Sequence, residues 1–144
     1  MEITSPAFEH HQPIPKKHTC EGEDLSPPLL FRDIPKGTKS LVLIVDDPDA
    51  PSGTFDHWLT WNIPPDHLRL DQGEHGPSEG LNHFGGVGYR GPCPPKGPTH
   101  RYFFKLYALD RQLSLPEGSS KEQLEEALEG HILGKAELVG TYKR

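Results

Sequence analysis

Two aspartates stand two residues apart directly after the most apolar run of the chain. Asp47 and Asp49 follow the run from Ser40 to Val45, and prolines occupy positions 48 and 51. A residue that precedes proline avoids the helical region of backbone conformation, so Asp47 is expected to be extended. Side chains two residues apart on an extended chain point the same way, so the two carboxylates would face one site. The alternative is an ordinary acidic turn.

Two histidines begin aromatic-rich segments that follow this acidic string, namely His57 and His100. A carboxylate held against an imidazole favours the protonated ring and fixes its orientation. A cationic histidine beside the backbone N–H groups of a Gly/Pro-rich loop, here Tyr89 to Pro95, can receive a phosphate or a sulfate. The pattern predicts an anion pocket with aromatic walls at Trp61, Tyr89 and Tyr102. The alternative is that each histidine is a structural residue at a strand end.

Three segments with strong strand patterns would position these residues. Ser40 to Val45 is continuously apolar, which is typical of a strand buried on both faces. Phe55 to Ile63 alternates, which predicts that His57 shares a face with Leu59, Trp61 and Ile63. Arg101 to Leu109 is aromatic-rich, and the alternation places His100 on the face of Tyr102 and Phe104. With weaker strand candidates at 29–34 and 137–142, and no helices between them, we expect a mainly β fold, an antiparallel sandwich.

One peripheral helix is predicted near residues 119–131, and the fold has room for a second short one. Ser119 and Glu122 fit the S-x-x-E capping box. Apolar residues then recur at helical spacing, and Gly130 and Gly134 weaken and end the helix; the apolar residues are Leu124, Ala127, Leu128 and Ile132. The segment from Pro64 to Lys96 has no periodicity, and irregular segments of this length are usually functional or disordered.

Composition limits the classes of function and partner. The 144 residues suit a single domain spanning 1–144, and the net charge of −6 gives no general attraction to nucleic acid or to anionic membranes. No apolar run approaches the ~20 residues of a membrane span, so we expect no stable membrane insertion. The first residues lack the layout of a secretory signal, which predicts a cytoplasmic protein.

The two cysteines, Cys20 and Cys93, form no CxxC pair, which excludes a zinc ribbon and a thioredoxin-type site. In a cytoplasmic protein we expect both as reduced thiols, although a bridge between them stays open. Residues 86–91 match GxGxxG, but the prolines at 92, 94 and 95 forbid the helix that a dinucleotide site needs. Residues 76–80 match GxSxG without the apolar strand that should precede a nucleophile elbow.

Two long strings resemble the signature segments of the phosphatidylethanolamine-binding protein family, in its bacterial and archaeal, Raf-kinase-inhibitor-like branch. They are DPDAPSGTFDHWLTWNIP (47–64) and GYRGPCPPKGPTHRYFFKLYALD (88–110), and TCEGEDLSPPL (19–29) and EGLNHFG (79–85) resemble the same branch. The resemblance implies an antiparallel β sandwich with a few peripheral helices. It also implies a ligand-binding set of ten residues: Asp47, Asp49, His57, Tyr89, Gly91, Cys93, Pro94, Pro95, His100 and Tyr102.

We therefore predict a binding protein without catalysis or cofactor. Its pocket takes a phosphate-bearing group, either a phospholipid head group or a phosphorylated residue, and the resemblance implies modulation of a kinase or protease partner. Affinity should fall as the pH rises through the histidine titration. The alternatives are a metal-assisted or acid–base hydrolase that uses the same Asp/His cluster, with Cys93 as the only candidate nucleophile, and a structural protein with an empty pocket. The resemblance leaves a homodimer open, and no exposed apolar stripe in the sequence predicts one.

Overall fold

Strands account for most of the regular structure. A computed structural model describes residues 1–144 and contains nine strands, one α-helix and one short 3-10 helix. The strands are β1 (Glu2–Thr4), β2 (Gln12–Pro13), β3 (Leu29–Arg32), β4 (Ser40–Asp47), β5 (Phe55–Ile63), β6 (Arg69–Leu70), β7 (Ser78–Glu79), β8 (His100–Leu109) and β9 (Ile132–Tyr142). The α-helix α1 spans Lys121–Leu128 and the 3-10 helix spans Lys16–His18. The predicted mainly β class is confirmed.

The strands form two sheets that share one apolar core. Six strands are ordered β2-β9-β8-β4-β5-β7 and three are ordered β1-β3-β6. Phe31 of the small sheet packs in one cluster with Leu43 and Phe104 of the large sheet, so the two sheets form a sandwich. All pairings are antiparallel except β2 with β9, which is parallel. Neither β1 nor β2 was predicted, because edge strands of two or three residues show no periodicity.

Strand β4 is buried on both faces, as its continuous apolar run predicts. Leu41, Leu43 and Val45 face the core between the sheets, whereas Val42 and Ile44 face a second core under α1. The same alternation carries into the two aspartates that end the strand. Asp47 continues the inter-sheet side and Asp46 continues the α1 side, which positions two acids for two different environments.

Strand β5 corrects the predicted face of His57. Val45 pairs with Trp58 and Asp46 pairs with Asp56, so His57 is the extra residue of a β-bulge. A bulge redirects the side chain that it carries. His57 therefore lies beside Tyr102 on the inter-sheet side, with 5.3 Å between the ring centroids. Trp61, with which it was predicted to share a face, packs on the α1 side and is not a wall of the pocket.

The helix begins one residue later and ends earlier than predicted. The N-cap is Ser120, which forms the capping box with Gln123 rather than Ser119 with Glu122. Ser119 is buried and its hydroxyl donates to the carbonyl oxygen of Pro116, so it is not free to cap. Ile132 belongs to β9, because the chain turns at Gly130, where φ is +79°. Neither helix has the length and apolar character needed to cross a membrane.

A disulfide joins Cys20 to Cys93 across 73 positions of sequence. The expectation of two reduced thiols is therefore wrong. Cys20 lies just after the 3-10 helix, and its backbone N–H also donates to Pro92 at 3.1 Å. The spacing of the cysteines gave no sign of this proximity, because it arises from the packing of the N-terminal segment against the loop that follows Tyr89.

Candidate functional site

A cavity of about 480 Å³ opens where β4, β5 and β8 carry their polar residues. Its walls include Asp47, His57, His100 and Tyr102, together with residues from the segments 50–55, 83–84 and 93–95. The bulge in β5 and the alternation along β4 and β8 bring these side chains to one place. The size is in the range of small-ligand pockets.

A buried, hydrogen-bonded pair of Asp47 and His100 lines the cavity. Nδ1–H of His100 donates to Oδ2 of Asp47 at 2.7 Å, and both side chains are only 4% exposed. The backbone N–H of Asp49 donates to Oδ1 of the same carboxylate at 2.7 Å. The carboxylate therefore fixes the ring of His100 with Nε2 left for a ligand, as predicted for the aspartate–histidine pairing.

Tyr102 closes one side of this pair. Its ring is buried, and burial followed by the negative charges of Asp47 and Asp49 raises the pKa of its hydroxyl. The hydroxyl is therefore protonated at neutral pH and serves as a hydrogen-bond donor beside Asp47.

His57 is held in a different way from the prediction. Its Nδ1–H donates to the backbone carbonyl oxygen of Arg90 at 2.7 Å, and no carboxylate bonds to the ring. Burial lowers the pKa of His57 and outweighs the opposing effects of the Arg90 carbonyl and of Asp47. The expectation that both histidines are cationic is therefore wrong for His57, which favours the neutral ring.

Asp49 does not share the cavity with Asp47. Its carboxylate accepts from the Arg101 guanidinium at 2.8 and 2.9 Å and from the Arg101 backbone N–H at 2.9 Å. These hydrogen bonds lower the pKa of Asp49. Asp49 therefore ties the end of β4 to β8, and it acts on the site through its backbone N–H.

The loop after β7 divides into a buried part and a lining part. Tyr89 packs edge-on against Trp58, and its hydroxyl donates to the carbonyl oxygen of His18 at 2.7 Å. A side chain at Gly91 would overlap that carbonyl group, and the Gly91 N–H donates to Asp24 at 2.9 Å. Neither Tyr89 nor Gly91 lines the cavity, whereas Cys93, Pro94 and Pro95 do. Tyr89 and Gly91 instead hold the loop against the N-terminal segment.

The cavity has an aromatic wall that the sequence analysis did not predict. Phe55 and Phe84 meet edge-on with 4.8 Å between their centroids, and Phe84 lies 5.6 Å from the ring of His57. Phe55 could have been found from its two-residue spacing to His57 on one strand. His83 and Phe84 lie in the long irregular segment, where no periodicity indicates which side chains turn inward.

Behind the cavity lies a second cluster of charges. Nζ of Lys121 donates to Asp46 at 2.8 Å and to Asp56 at 2.9 Å, and Lys105 donates to Asp46 at 3.0 Å. Burial acts to lower the pKa of Lys121, but the hydrogen bonds to the two carboxylates outweigh it and raise the pKa. The backbone N–H of Asp56 donates to Nδ1 of His83 at 2.8 Å, so this cluster orients one wall of the cavity.

The lining of the cavity supplies hydrogen-bonding groups. No group of three or more His, Cys, Asp or Glu side chains is placed to hold a metal ion, and neither cysteine has a free thiol. Cys93, the only candidate nucleophile in the sequence, is bound to Cys20. The polar residues that line the cavity include the Asp47–His100 pair, two further histidines at 57 and 83, and three hydroxyl-bearing residues, Ser52, Thr54 and Tyr102.

Comparisons with known proteins identify relatives over nearly the whole length of the chain. Residues 4–143 match the family described as phosphatidylethanolamine-binding protein. The chain is 50% identical over 151 residues to a protein named UPF0098 protein from Methanothermobacter thermautotrophicus, with 100% of this chain and 99% of that protein covered. A UPF0098 protein from Chlamydia trachomatis is 49% identical over 150 residues, with 100% of this chain and 99% of that protein covered.

Solved structures give the same assignment. A crystal structure of a putative phosphatidylethanolamine-binding protein homologue from Chlamydia trachomatis matches with a TM-score of 0.95 and 49% identity, covering 99% of this chain and 97% of that one. The structure of YbcL from Escherichia coli, described as a new member of the mammalian family, matches with a TM-score of 0.93 and 31% identity, covering 99% and 98%. The resemblance of the sequence strings is confirmed: this chain belongs to the phosphatidylethanolamine-binding protein family.

Proposed function

We propose that the cavity binds a small phosphate-bearing anion and that the protein acts by binding rather than by catalysis. The observation that carries the proposal is the buried Asp47–His100 pair, whose Nδ1–Oδ2 distance is 2.7 Å. With Nδ1 committed to Asp47, the imidazolium form of His100 has one remaining donor, Nε2–H, for a ligand. A charge-assisted hydrogen bond of this kind is roughly twice as strong as a neutral one.

The surroundings of this pair support an anion of limited size. The hydroxyls of Ser52, Thr54 and Tyr102 lie around the cavity and are donors that suit phosphate oxygens. Both oxygens of the Asp47 carboxylate accept hydrogen bonds within the protein, from His100 and from the Asp49 N–H, in a chain that carries −6 overall. A phosphorylated residue of a kinase or protease partner, or a phospholipid head group, would present such an anion.

A calorimetric titration with inorganic phosphate and with phosphoethanolamine tests the proposal. His100→Ala removes the charged donor and should weaken binding by about 10- to 100-fold, which corresponds to about 1.5–3 kcal/mol for a hydrogen bond to a charged group. His131→Ala is a matched control, because His131 forms a similar pair with Asp110, at 2.8 Å, on the surface. Equal affinity of wild type and His100→Ala, or no binding by wild type, would overturn the proposal.

Two further expectations stay predictions. The first is a hydrolase that uses the same Asp/His cluster. Metal analysis of the purified protein tests its metal-assisted form, and a turnover assay would be needed for its acid–base form. The cytoplasmic location is opposed by the Cys20–Cys93 disulfide, because such bonds persist mainly in oxidising compartments, with intracellular proteins of hyperthermophiles as the known exception.

A further inference from the structure

The hydrogen-bonding state of His57 is fixed by its backbone partner. Nδ1 lies 2.7 Å from the carbonyl oxygen of Arg90, and a carbonyl oxygen only accepts, so Nδ1 carries the proton. In the neutral ring Nε2 then has a lone pair and no proton. The Arg90 N–H also donates to the carbonyl oxygen of His57 at 3.1 Å, so the two residues hold each other in this arrangement. Nε2 has no partner in the protein, and the ring lines the cavity.

The neutral ring is the state that this environment favours. His57 is only 3% exposed, and burial lowers its pKa in spite of nearby carboxylates. The charged and titratable groups that surround the ring come from every element around it: Asp47 of β4 with Asp46 on the opposite face of that strand, His100 and Tyr102 of β8, Asp24 of the N-terminal segment, and His83 and Arg90 of the loop after β7. Near neutral pH the cavity therefore presents one hydrogen-bond acceptor at Nε2 as well as its donors.

We propose that His57 makes the cavity selective for phosphate monoesters, because its Nε2 requires a proton that the ligand brings. The inference rests on the proposed anion site and adds the class of ligand. A monoester loses its second proton at a pKa near 6, so part of it carries a P–O–H donor at neutral pH. Phosphodiesters and sulfate esters carry no such proton, and one of their oxygens would meet the lone pair of Nε2. The ligand is then a phosphorylated residue or another monoester rather than the diester of a membrane lipid.

Three minimal probes separate the classes without any contribution from an amine or an acyl chain. Methyl phosphate, dimethyl phosphate and methyl sulfate are titrated into the protein by calorimetry between about pH 6 and pH 8, from the monoester pKa upward. Near pH 6 methyl phosphate should bind about 10- to 100-fold more tightly than the other two probes. Dimethyl phosphate and methyl sulfate would leave Nε2 of His57 without a hydrogen bond, and a buried polar group left unsatisfied has a cost of this size. In its monoanionic form methyl phosphate carries the same single negative charge as the other two probes, so the ratio near pH 6 compares hydrogen bonding rather than charge. Above the monoester pKa the ratio should fall by about tenfold for each pH unit.

Variants of one cavity histidine and one surface histidine assign the effect. His57→Gln presents an amide N–H donor to any phosphate or sulfate oxygen, so the ratio should shrink to about threefold or less. His131→Gln is the control, because His131 lies outside the cavity and pairs with Asp110 at the surface at 2.8 Å. This control should keep the wild-type ratio.

The outcomes separate this inference from the proposed function. Preference for methyl phosphate that is lost only in His57→Gln supports it. Equal binding of all three probes, or a preference for the diester, overturns the monoester assignment while the anion site stands, and the second result points to lipid head groups. Failure of every probe to bind overturns both.

Discussion

Removal of the Cys20–Cys93 disulfide should lower stability by an amount that follows from the loop it closes. The bond joins residues separated by 73 positions, and the loss of loop-closure entropy in the unfolded chain corresponds to about 4 kcal/mol. For a chain of this size that is a decrease in melting temperature of ~10–15 °C. The test is urea denaturation of wild type and of the double variant Cys20→Ser/Cys93→Ser without reductant.

The same prediction includes a second readout at the cavity. Four contacts besides the disulfide join the N-terminal segment to the loop that follows Tyr89: Tyr89 to the His18 carbonyl, Arg90 to the Asp24 carboxylate, Gly91 to the same carboxylate, and the Cys20 N–H to the Pro92 carbonyl. The double variant should therefore keep phosphate affinity within about threefold of wild type once it is folded, a change of less than about 1 kcal/mol. Wild type in reductant serves as the control and should match the double variant. An unchanged free energy of unfolding would refute the reasoning about the loop.

Three further changes test how the rest of the site is supported. Lys121→Met removes the cation that the buried carboxylates of Asp46 and Asp56 share. The free energy of unfolding, measured by urea denaturation, should fall by about 3–5 kcal/mol, and a decrease below about 1 kcal/mol would contradict this. Gly91→Ala should lower the free energy of unfolding by at least ~2 kcal/mol, because the added methyl group would overlap the backbone carbonyl of His18. Gly86→Ala is the control and should be close to neutral, because the nearest atom to its methyl group is 3.9 Å away. Equal effects of the two substitutions would argue against the packing described. Burial lowers the pKa of His18, so the folded state binds its proton less readily than the unfolded chain, and stability should decrease as the pH falls below about 6.5. His18→Gln should flatten that decrease, and an unaltered pH profile would show that other groups cause it.

The alternation of side-chain direction along the strands was enough to predict most of the sandwich and the part of the site formed by β4 and β8. The apolar run of β4 predicts a strand buried on both faces, and the spacing in β8 correctly places His100 with Tyr102. These predictions hold because burial depends on side-chain direction, which the strand period fixes. The pairing of Asp47 with His100 follows from the same geometry.

The remaining features depend on irregular backbone and on distant packing. His57 turns to the cavity through a bulge, and an extra residue in one strand reverses the face that alternation predicts. The prediction that the Asp49 carboxylate shares a site with Asp47 is wrong, because that carboxylate is bound by Arg101, a partner 52 positions away. The Cys20–Cys93 bond and the inward side chains of the segment that follows Pro64 likewise depend on contacts that no local pattern records.

The central claim is that His57 and His100 bind a phosphate-bearing anion together. Nitrogen-15 NMR of the histidine rings during a titration with methyl phosphate tests it most directly, because it observes each ring nitrogen of the chain's nine histidines. We predict the Nδ1–H tautomer for free His57, and joint, saturable shifts of the Nε2 signals of His57 and His100, with the surface His131 unchanged. Unmoved signals from the two cavity histidines, or equal shifts at His131, would contradict the account.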